Sequence, residues 1–273
     1  MPETKPLRLA IHGAAGRMGR RLVALASEDT TWNVVAALDA PSHPRLGEDA
    51  GAIAGTAAMG VPLTSELPQA VDVVIDFSLP EAADRIAALC VERGAPLVVA
   101  TTGLAGVSLV ALKAAAKSIP LVYAPNMSLA VNVAMKLATE AARALKAAPG
   151  GVDVEIIERH HRYKEDSPSG TALRFGKLIA DALGGLTETH GRLGRPGQRP
   201  AGELGYHAVR AGDNPGEHTI LFGLLGESVE IRVAATSRDA YATGALAAAK
   251  WLVRQPAGMY GMSDVLGLSE RES

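Results

Sequence analysis

The first half of the chain alternates short apolar runs with longer amphipathic stretches. One of the amphipathic stretches begins at Pro80 and ends at Gly94, which are typical helix boundaries. Alternating strands and helices are typical of βαβ units, which build a parallel sheet with helices on its faces. The predicted strands are LRLAIH, NVVAALD, VDVVIDF, PLVVAT and IPLVYAP, and the predicted helices are GRMGRRLVALASE and PEAADRIAALCVERG.

The pattern changes after Asn126. A long amphipathic stretch predicts a helix that Ser128 caps and that PGG ends. Residues 40–70 and 185–204 are rich in Gly and Pro and are predicted as loops, the first with short elements. The other predicted elements are the strand VDVEIIERH, the helix SGTALRFGKLIADALGG, the strands GYHAVRAG, HTILFGLLG and SVEIRVAAT at antiparallel-like spacing, and the closing helix RDAYATGALAAAKWLVRQ.

The composition is that of an ordinary globular protein. Its 273 residues with 48% hydrophobic content can build a sizeable core in one large or two modest domains. A formal net charge of −2 argues against a general nucleic-acid or membrane-surface binder. No apolar stretch approaches the roughly twenty residues of a membrane span, so we predict a cytoplasmic protein with neither nucleic acid nor membrane as partner. The single Cys90 lies in a predicted helix, where we expect a buried apolar residue rather than a catalytic thiol.

A glycine turn lies between the first predicted strand and the first predicted helix. The sequence IHGAAGRMGRR places Gly13, Gly16 and Gly19 there, where backbone N–H groups can approach a pyrophosphate. This spacing differs from the commoner G-x-G-x-x-G, so a tight turn with no ligand stays an alternative. Asp39 ends the second strand, where an acid can accept hydrogen bonds from the ribose hydroxyls of adenosine. Turn and acid together predict a Rossmann-like dinucleotide-binding domain.

Two further strand ends carry small and polar residues. They are ATTG (100–103) and APNM (124–127). Ligands of open α/β sheets bind at the carboxyl edge of the strands, so we expect both segments to line the same dinucleotide site.

The densest positive charge of the chain lies in RHHRYK (159–164), just before a predicted helix that begins in SPSGTA. Ser169 can cap this helix, and we expect the N–H groups around Gly170 and Thr171 to point outward, because the first turn of a helix has no acceptors for them within the helix itself. Such a helix terminus attracts anions.

Two histidines and a lysine adjoin this helix terminus. His161 and Lys164 make it suited to carboxylates, and His160 is the natural proton donor because imidazole titrates near neutrality. The alternative is a surface pair of histidines, or a core pair with satisfied hydrogen bonds. A metal site is not expected, because adjacent strand residues point to opposite faces and no third ligand follows at a familiar spacing.

These segments together resemble the 4-hydroxy-tetrahydrodipicolinate reductase family, the dihydrodipicolinate reductases. The most specific of them is EIIERHHRYKEDSPSGTA (155–172), and the resemblance spans nearly the whole chain. The other matching segments are GAAGRMG (13–19), DFSLPE (76–81), TTG (101–103), APNMSLAVN (124–132), VRAGDNPGEHTILF (209–222) and the closing helix.

The resemblance implies an α/β fold with two domains. A Rossmann-like parallel-sheet nucleotide domain would comprise residues 1–129 and 241–273, and an inserted α+β domain of mixed sheet, 130–240, would bind substrate and join a homotetramer. The implied reaction is the NAD(P)H-dependent reduction of a cyclic imine dicarboxylate in diaminopimelate and lysine biosynthesis. The nicotinamide delivers hydride to C4, and a protein group protonates the neighbouring carbon.

The resemblance also implies roles for individual residues. His160 and Lys164 match the acid pair, and the carboxylate-binding positions are His161, Ser169, Gly170 and Thr171. The implied cofactor-binding residues are Gly13, Ala14, Ala15, Gly16, Arg17, Met18, Asp39, Ala100, Thr101, Thr102, Gly103, Ala124, Pro125, Asn126 and Met127.

Two positions depart from the family pattern. The usual glycine before TTG is Ala100, and the arginine often found after the ribose-binding acid is Ala40. A 2′-phosphate is strongly negative, so Asp39 repels it and Ala40 offers it no countercharge. We therefore expect NADH to be preferred and NADPH to remain usable, with Arg17 and Arg45 as the residues that could weaken the preference.

Two other functions share part of this pattern. A non-catalytic dinucleotide sensor would keep the glycine turn and Asp39 but would not need His160 and Lys164 beside an anion site. A dehydrogenase of an amino acid semialdehyde or an α-keto acid would share the first half and differ in the second.

Overall fold

The computed structural model describes residues 5–104 and 106–269, which form two compact units. The first unit comprises the described residues up to Leu129 and from Arg238 onward, and the second comprises Ala130–Ser237. The sequence prediction places the return to the first domain a few residues later, at 241. No helix among the described residues is long and apolar enough to cross a membrane.

The first unit is built on a seven-stranded sheet. Its strands are β1 (Leu7–His12), β2 (Trp32–Leu38), β3 (Leu63–Thr64), β4 (Val73–Asp76), β5 (Leu97–Val99), β6 (Pro120–Tyr123) and β12 (Gly258–Tyr260). Its helices are α1 (Arg17–Glu28), α2 (Ala50–Ala54), α3 (Pro80–Arg93), α4 (Gly106–Ala115), α7 (Asp239–Leu252) and α8 (Met262–Val265). The strand order is β12-β6-β5-β4-β1-β2-β3, and every neighbouring pair is parallel.

Both faces of this sheet are covered. Leu9 and Ile11 of β1 pack into one hydrophobic cluster, whereas Ala10 between them packs into a second one. A strand buried on both faces needs a continuous apolar run, which is why these strands show no polar alternation. The predicted Rossmann-like parallel sheet is therefore confirmed.

Strand β12 and helices α4 and α8 were not predicted, whereas α2 and β3 fall in residues 40–70, for which the sequence predicts short elements. Strand β12 and helix α8 have at most four residues each, too few to show a period. Helix α4 carries apolar residues nearly all round, with Val107 77% exposed and Val110 67% exposed. It therefore lacks the one-sided pattern by which a surface helix is detected.

The second unit contains a five-stranded mixed sheet. Its elements are α5 (Leu129–Leu145, whose first residue is assigned to the first unit), β7 (Asp153–His160), α6 (Gly170–Leu183), β8 (Thr187–His190), β9 (Glu203–Arg210), β10 (Glu217–Leu224) and β11 (Glu227–Ala234). The order is β11-β10-β7-β9-β8, with antiparallel pairs β11/β10 and β10/β7 and parallel pairs β7/β9 and β9/β8. The predicted mixed sheet is confirmed.

One face of this sheet packs on α5 and α6. Alternate residues of the central strand β7 are buried there, beginning with Val154 and Ile156, which join a core that includes Phe175 of α6. The next two residues of the stripe are Glu158 and His160, which are also buried. The apolar face of β7 therefore ends in two polar side chains.

Two details of the predicted second half were wrong. The segment GYHAVRAG forms β9, which lies on the other side of β7 from β10 and pairs in parallel with both of its described neighbours, β7 and β8. The predicted loop 185–204 contains β8, whose sequence TETH is mostly exposed and has no apolar alternation that would mark it as a strand.

Candidate active site

The glycine turn joins β1 to α1 at the carboxyl edge of the parallel sheet. Gly13 has a φ of 76°, and a Cβ at this position would lie 2.6 Å from the carbonyl oxygen of Phe77. A Cβ at Gly19 would overlap the backbone of Gly13 and Ala14. Both positions therefore require glycine, which lets the backbone turn tightly and lets α1 approach it.

The N-terminus of α1 faces outward from this turn. Gly16 is its N-cap, and within the described chain no side chain caps it. Gly16 and Arg17 are exposed, and Met18 is half-buried. Uncapped N–H groups and the positive end of the helix dipole are what a diphosphate binds.

Asp39 follows β2 and is tied to the glycine turn. Its Oδ2 accepts a hydrogen bond from the amide of Ala15 at 3.0 Å, and its Oδ1 accepts one from the amide of Ala40 at 2.9 Å. Each oxygen has a second lone pair with which it can accept from a ribose hydroxyl. The neighbouring Ala40 is exposed, and the Arg45 guanidinium is paired with Glu48 at 2.7 Å.

The two predicted segments after β5 and β6 lie at the same edge. Ala100 is only 5% exposed and packs into the core, so the methyl group that replaces the family's usual glycine points inward. Thr102, Gly103 and Pro125 are exposed, Asn126 is half-buried, and Thr101, Ala124 and Met127 are buried.

A hydrogen-bonded chain that the sequence analysis missed runs along this edge. Asp76, the last residue of β4, is fully buried; its Oδ1 lies 2.7 Å from Nδ1 of His12, and its Oδ2 accepts from the Thr101 hydroxyl at 2.7 Å. The Thr101 hydroxyl hydrogen is thus committed to Asp76. His12 and Asp76 end β1 and β4, and Thr101 lies two residues after β5, so the bonds connect the carboxyl ends of three adjacent strands.

These features fit an NAD(P) cofactor. The predicted cofactor residues all belong to the first unit and lie at the carboxyl ends of β1, β2, β5 and β6. The glycine turn and the uncapped α1 suit the diphosphate, and Asp39 suits the adenosine ribose.

The predicted catalytic and substrate residues all lie in the second unit, from the last residue of β7 to the first turn of α6. His160 is the last residue of β7 and is 7% exposed. The Nε2 atom of its ring faces Gly216, which has a φ of +151°, and a Cβ at Gly216 would lie 2.9 Å from that nitrogen. Glycine at 216 therefore leaves room at the ring nitrogen.

The other ring nitrogen of His160 is bonded to Glu158. The His160 Nδ1 atom lies 2.5 Å from Oε2 of Glu158, which is fully buried. Arg210 of β9 donates to both carboxylate oxygens, at 2.8 and 2.7 Å, and the amide of Ser169 donates to Oε1 at 3.0 Å. The carboxylate thus joins the predicted proton donor to the start of α6.

Ser169 caps α6, as the sequence predicts. Its hydroxyl oxygen accepts from the amide of Ala172 at 3.2 Å, and it lies 3.1 Å from Nε2 of His218 on β10. The next residue, Gly170, is exposed, and Thr171 is half-buried. The first turn of α6 therefore presents backbone N–H groups beside a serine and a buried histidine.

Lys164 and His161 lie on the loop between β7 and α6. The Lys164 Nζ atom donates to Asp166 at 2.7 Å. The His161 amide donates to the Asn214 carbonyl at 2.8 Å, and no described residue provides a partner for the buried Nδ1 of His161. The loop thus carries one paired cation and one ring nitrogen with free hydrogen-bonding capacity.

Burial and charge shift the pKa values of this site in defined directions. Burial lowers the pKa of His160, and its bond to Glu158 opposes this by favouring the imidazolium. Burial raises the pKa of Glu158, but the hydrogen bonds from Arg210 and His160 outweigh it, so the net pKa is lowered. Burial lowers the pKa of His218 to about 4, so this histidine is neutral near pH 7. The site therefore combines a carboxylate, a guanidinium and two imidazoles of different basicity.

Sequence reasoning missed four residues of this cluster: Glu158, Arg210, Gly216 and His218. Glu158 was detectable, because it lies two positions before His160 and so shares its face of β7. The other three come from β9, β10 and the segment before β10, and only the strand order brings them to His160.

The sequence raises two other candidate chemistries, a catalytic thiol and a metal site. Cys90 is fully buried, and burial raises the pKa of its thiol, which disfavours the reactive thiolate. Among residues 5–104 and 106–269, no three His, Cys, Asp or Glu side chains are grouped so as to hold a metal ion.

The parallel sheet, the glycine turn and the acid after β2 define a Rossmann-type NAD(P)-dependent oxidoreductase. The chain matches the family model described as "Dihydrodipicolinate reductase, N-terminus" over residues 7–127 and the one described as "Dihydrodipicolinate reductase, C-terminus" over residues 130–266. The chain therefore belongs to the dihydrodipicolinate reductase family.

Individual proteins show the same relationship. The chain is 56% identical to a 4-hydroxy-tetrahydrodipicolinate reductase of Rhodopirellula baltica, covering 98% of each chain. It is 47% identical to the enzyme of the same name from Alkalilimnicola ehrlichii, covering 96% of this chain and 99% of that one. A structure of dipicolinate-bound dihydrodipicolinate reductase from Paenisporosarcina sp. TG-14 aligns with a TM-score of 0.76 and 25% identity, covering 95% of this chain and 99% of that one.

Proposed function

We propose that this protein reduces 4-hydroxy-tetrahydrodipicolinate, by way of dihydrodipicolinate, to tetrahydrodipicolinate in the diaminopimelate and lysine pathway. The relatives' names support the substrate, and the second unit offers groups that suit it. The observation that carries the proposal is the buried Glu158 carboxylate, which bonds both to His160 and to the first residue before α6. A proton donor and an anion-binding helix terminus are thereby held together.

The residues of the second unit have different roles in the proposed reaction. His160 supplies the proton, since its ring nitrogen Nε2 is the one that Glu158 does not occupy. Lys164 stabilises negative charge that develops during the reaction, after exchanging its Asp166 partner for substrate. His161, Ser169, Gly170 and Thr171 bind the two carboxylates through a ring nitrogen, a hydroxyl and backbone N–H groups. A bound NAD(P)H supplies the hydride.

The direct test couples the purified protein to freshly generated synthase product and follows NADH absorbance. We expect oxidation that depends on the synthase product. His160→Gln should lower kcat by roughly a hundredfold, as for a lost general acid, with little change in NADH affinity. The matched control is His190→Gln, which alters an exposed histidine of the same unit. NADH oxidation that does not depend on the synthase product would refute the proposed substrate. A kcat of His160→Gln equal to that of His190→Gln would refute the role of His160 as proton donor.

We further propose that NADH is preferred over NADPH. Asp39 repels a 2′-phosphate, Ala40 carries no charge, and Arg45 is engaged with Glu48. Arg17 is exposed at the start of α1 and is the other cation that the sequence names as able to weaken the preference.

We also propose a homotetramer joined through the face of the mixed sheet opposite α5 and α6. Ile157 and Val209 lie on that face and are 36% and 42% exposed, which leaves apolar surface for a second copy. Light scattering on the purified protein tests this, and a monomeric mass would overturn it. The cytoplasmic location stays a prediction from the sequence.

A further inference from the structure

Glu158 is the most heavily bonded buried carboxylate near His160. It is fully buried and accepts hydrogen bonds from the His160 ring, from two nitrogens of Arg210 and from the Ser169 amide. A buried carboxylate is costly unless it is paired and hydrogen-bonded, and this one satisfies both conditions. Such an arrangement holds its partners at fixed positions.

The bond between Glu158 and His160 decides which ring nitrogen is protonated. An ionised carboxylate only accepts hydrogen bonds, so the Nδ1 atom of His160 must carry a hydrogen. In the neutral ring, Nε2 is then the basic nitrogen, and it faces the space that Gly216 leaves open.

Arg210 extends this connection to the loop. Besides Glu158, its guanidinium donates to the backbone carbonyl of Asp166 at 2.7 Å, and the Asp166 side chain accepts from Lys164. Arg210 therefore holds the Glu158 carboxylate in place and anchors the segment that carries Lys164. Removing it would affect both.

We propose that Glu158 and Arg210 are positioning residues for the reaction. Glu158 holds the His160 ring with Nε2 toward the substrate, and it holds the Ser169 amide at the start of α6. Arg210 holds Glu158 in place. This inference rests on the proposed role of His160. Neither residue contacts the reacting atoms in this scheme. Both act through His160 and α6.

The first test uses the wild-type protein and needs no substrate. Histidines are labelled with ¹⁵N, the His160 signal is assigned by its loss in His160→Gln, and its tautomer is read from the nitrogen shifts. We expect neutral His160 to be protonated at Nδ1. A ring protonated at Nε2 would overturn the proposal, whatever the enzyme's activity.

The second test compares two variants that should move the titration of His160 in opposite directions. The charged and titratable groups that act on this ring are Glu158, Lys164, Arg210 and His218. Glu158→Gln removes the charge that favours the imidazolium, so the His160 pKa falls further. Arg210→Met removes a charge that opposes the imidazolium, so the His160 pKa rises. General damage to the fold does not predict opposite shifts.

Kinetics supply the third readout. Glu158→Gln should lower kcat by about tenfold or more, with the KM for NADH unchanged, because the donor is misplaced while the cofactor unit is untouched. In the pH dependence of kcat, the limb that reports the loss of the His160 proton should move to lower pH in Glu158→Gln and to higher pH in Arg210→Met.

Glu155→Gln is the matched control. Glu155 lies on the same strand, three residues before Glu158 and on the opposite face. Like Glu158 it bonds to arginine and histidine side chains, in its case Arg192, Arg199 and His207. The Glu155→Gln variant should leave the His160 titration and kcat unchanged. Its elution volume in gel filtration is compared with that of wild type, because Glu155 lies on the proposed oligomer face. Equal effects of Glu155→Gln and Glu158→Gln, or shifts of one sign in Glu158→Gln and Arg210→Met, would overturn the proposal. If the wild type lacks the proposed reductase activity, the proposed function fails, whereas the NMR results still decide the geometry.

Discussion

Adding one methyl group at Gly216 should impair catalysis through His160. The backbone at Gly216 has a φ of +151°, and its Cβ would lie 2.9 Å from the Nε2 atom of His160. Carbon and nitrogen atoms in contact normally lie about 3.5 Å apart, so the ring or the loop must shift by roughly 0.5 Å. The ring cannot move freely, because its Nδ1 atom is bonded to Glu158 at 2.5 Å.

The size of the effect follows from this displacement. A misplacement of about 1 Å can cost a hundredfold in rate, so a shift of half that size should cost about tenfold in kcat. Alanine at a positive φ is also strained, which should lower the free energy of unfolding by about 1 kcal/mol. The kinetic loss should exceed what strain alone produces.

The assay compares Gly216→Ala with Gly226→Ala. Gly226 follows β10 in the turn to β11, has a φ of +88°, and its Cβ would meet no described atom within 4 Å. Both variants should lose similar stability in urea unfolding, and only Gly216→Ala should lose kcat. Equal kcat values in the two variants would refute the argument that Gly216 keeps space for the His160 ring.

Three further outcomes are expected. Ala40→Arg should shift the kcat/KM ratio toward NADPH by about tenfold at fixed salt, since it supplies a countercharge beside Asp39; an unchanged ratio would contradict the cofactor argument. Ser169→Ala should lower the free energy of unfolding by about 1 kcal/mol through the lost N-cap and should raise the KM for substrate, whereas an unchanged KM would remove Ser169 from the substrate site. Burial raises the pKa of Glu155, but bonds from Arg192, His207 and Arg199 outweigh it and lower this pKa from 4.5 to about 2. The contribution of Glu155 to stability is therefore present above pH 4.5 and is lost as the pH falls toward about 2. The Tm advantage of wild type over Glu155→Gln should shrink over that range, and a constant Tm difference would contradict this.

The parallel sheet was predictable because its strands are buried on both faces and therefore stand out as continuous apolar runs. The glycine turn and the Ser169 cap were predictable because each is a local signal between a strand and a helix. Strand β8 and helix α4 were missed, since one lacks apolar residues and the other has them nearly all round.

The candidate site was predictable only where its residues are neighbours in sequence. His160, His161, Lys164 and Ser169 lie on one short segment, and their types point to proton transfer and anion binding. Arg210 and His218 reach His160 because β9 and β10 flank β7, a strand order that local patterns do not encode. The parallel pairing of β9 with β7 was mispredicted for the same reason.

The central claim is that the protein delivers a hydride and a proton to the same cyclic dicarboxylate. The most direct measurement supplies NADH deuterated at nicotinamide C4 with fresh synthase product, and a parallel reaction uses unlabelled NADH in D₂O. NMR and mass spectrometry of the product should find one deuterium at C4 in the first reaction and solvent deuterium at the neighbouring carbon in the second. A product without deuterium at C4 in the first reaction would contradict the account.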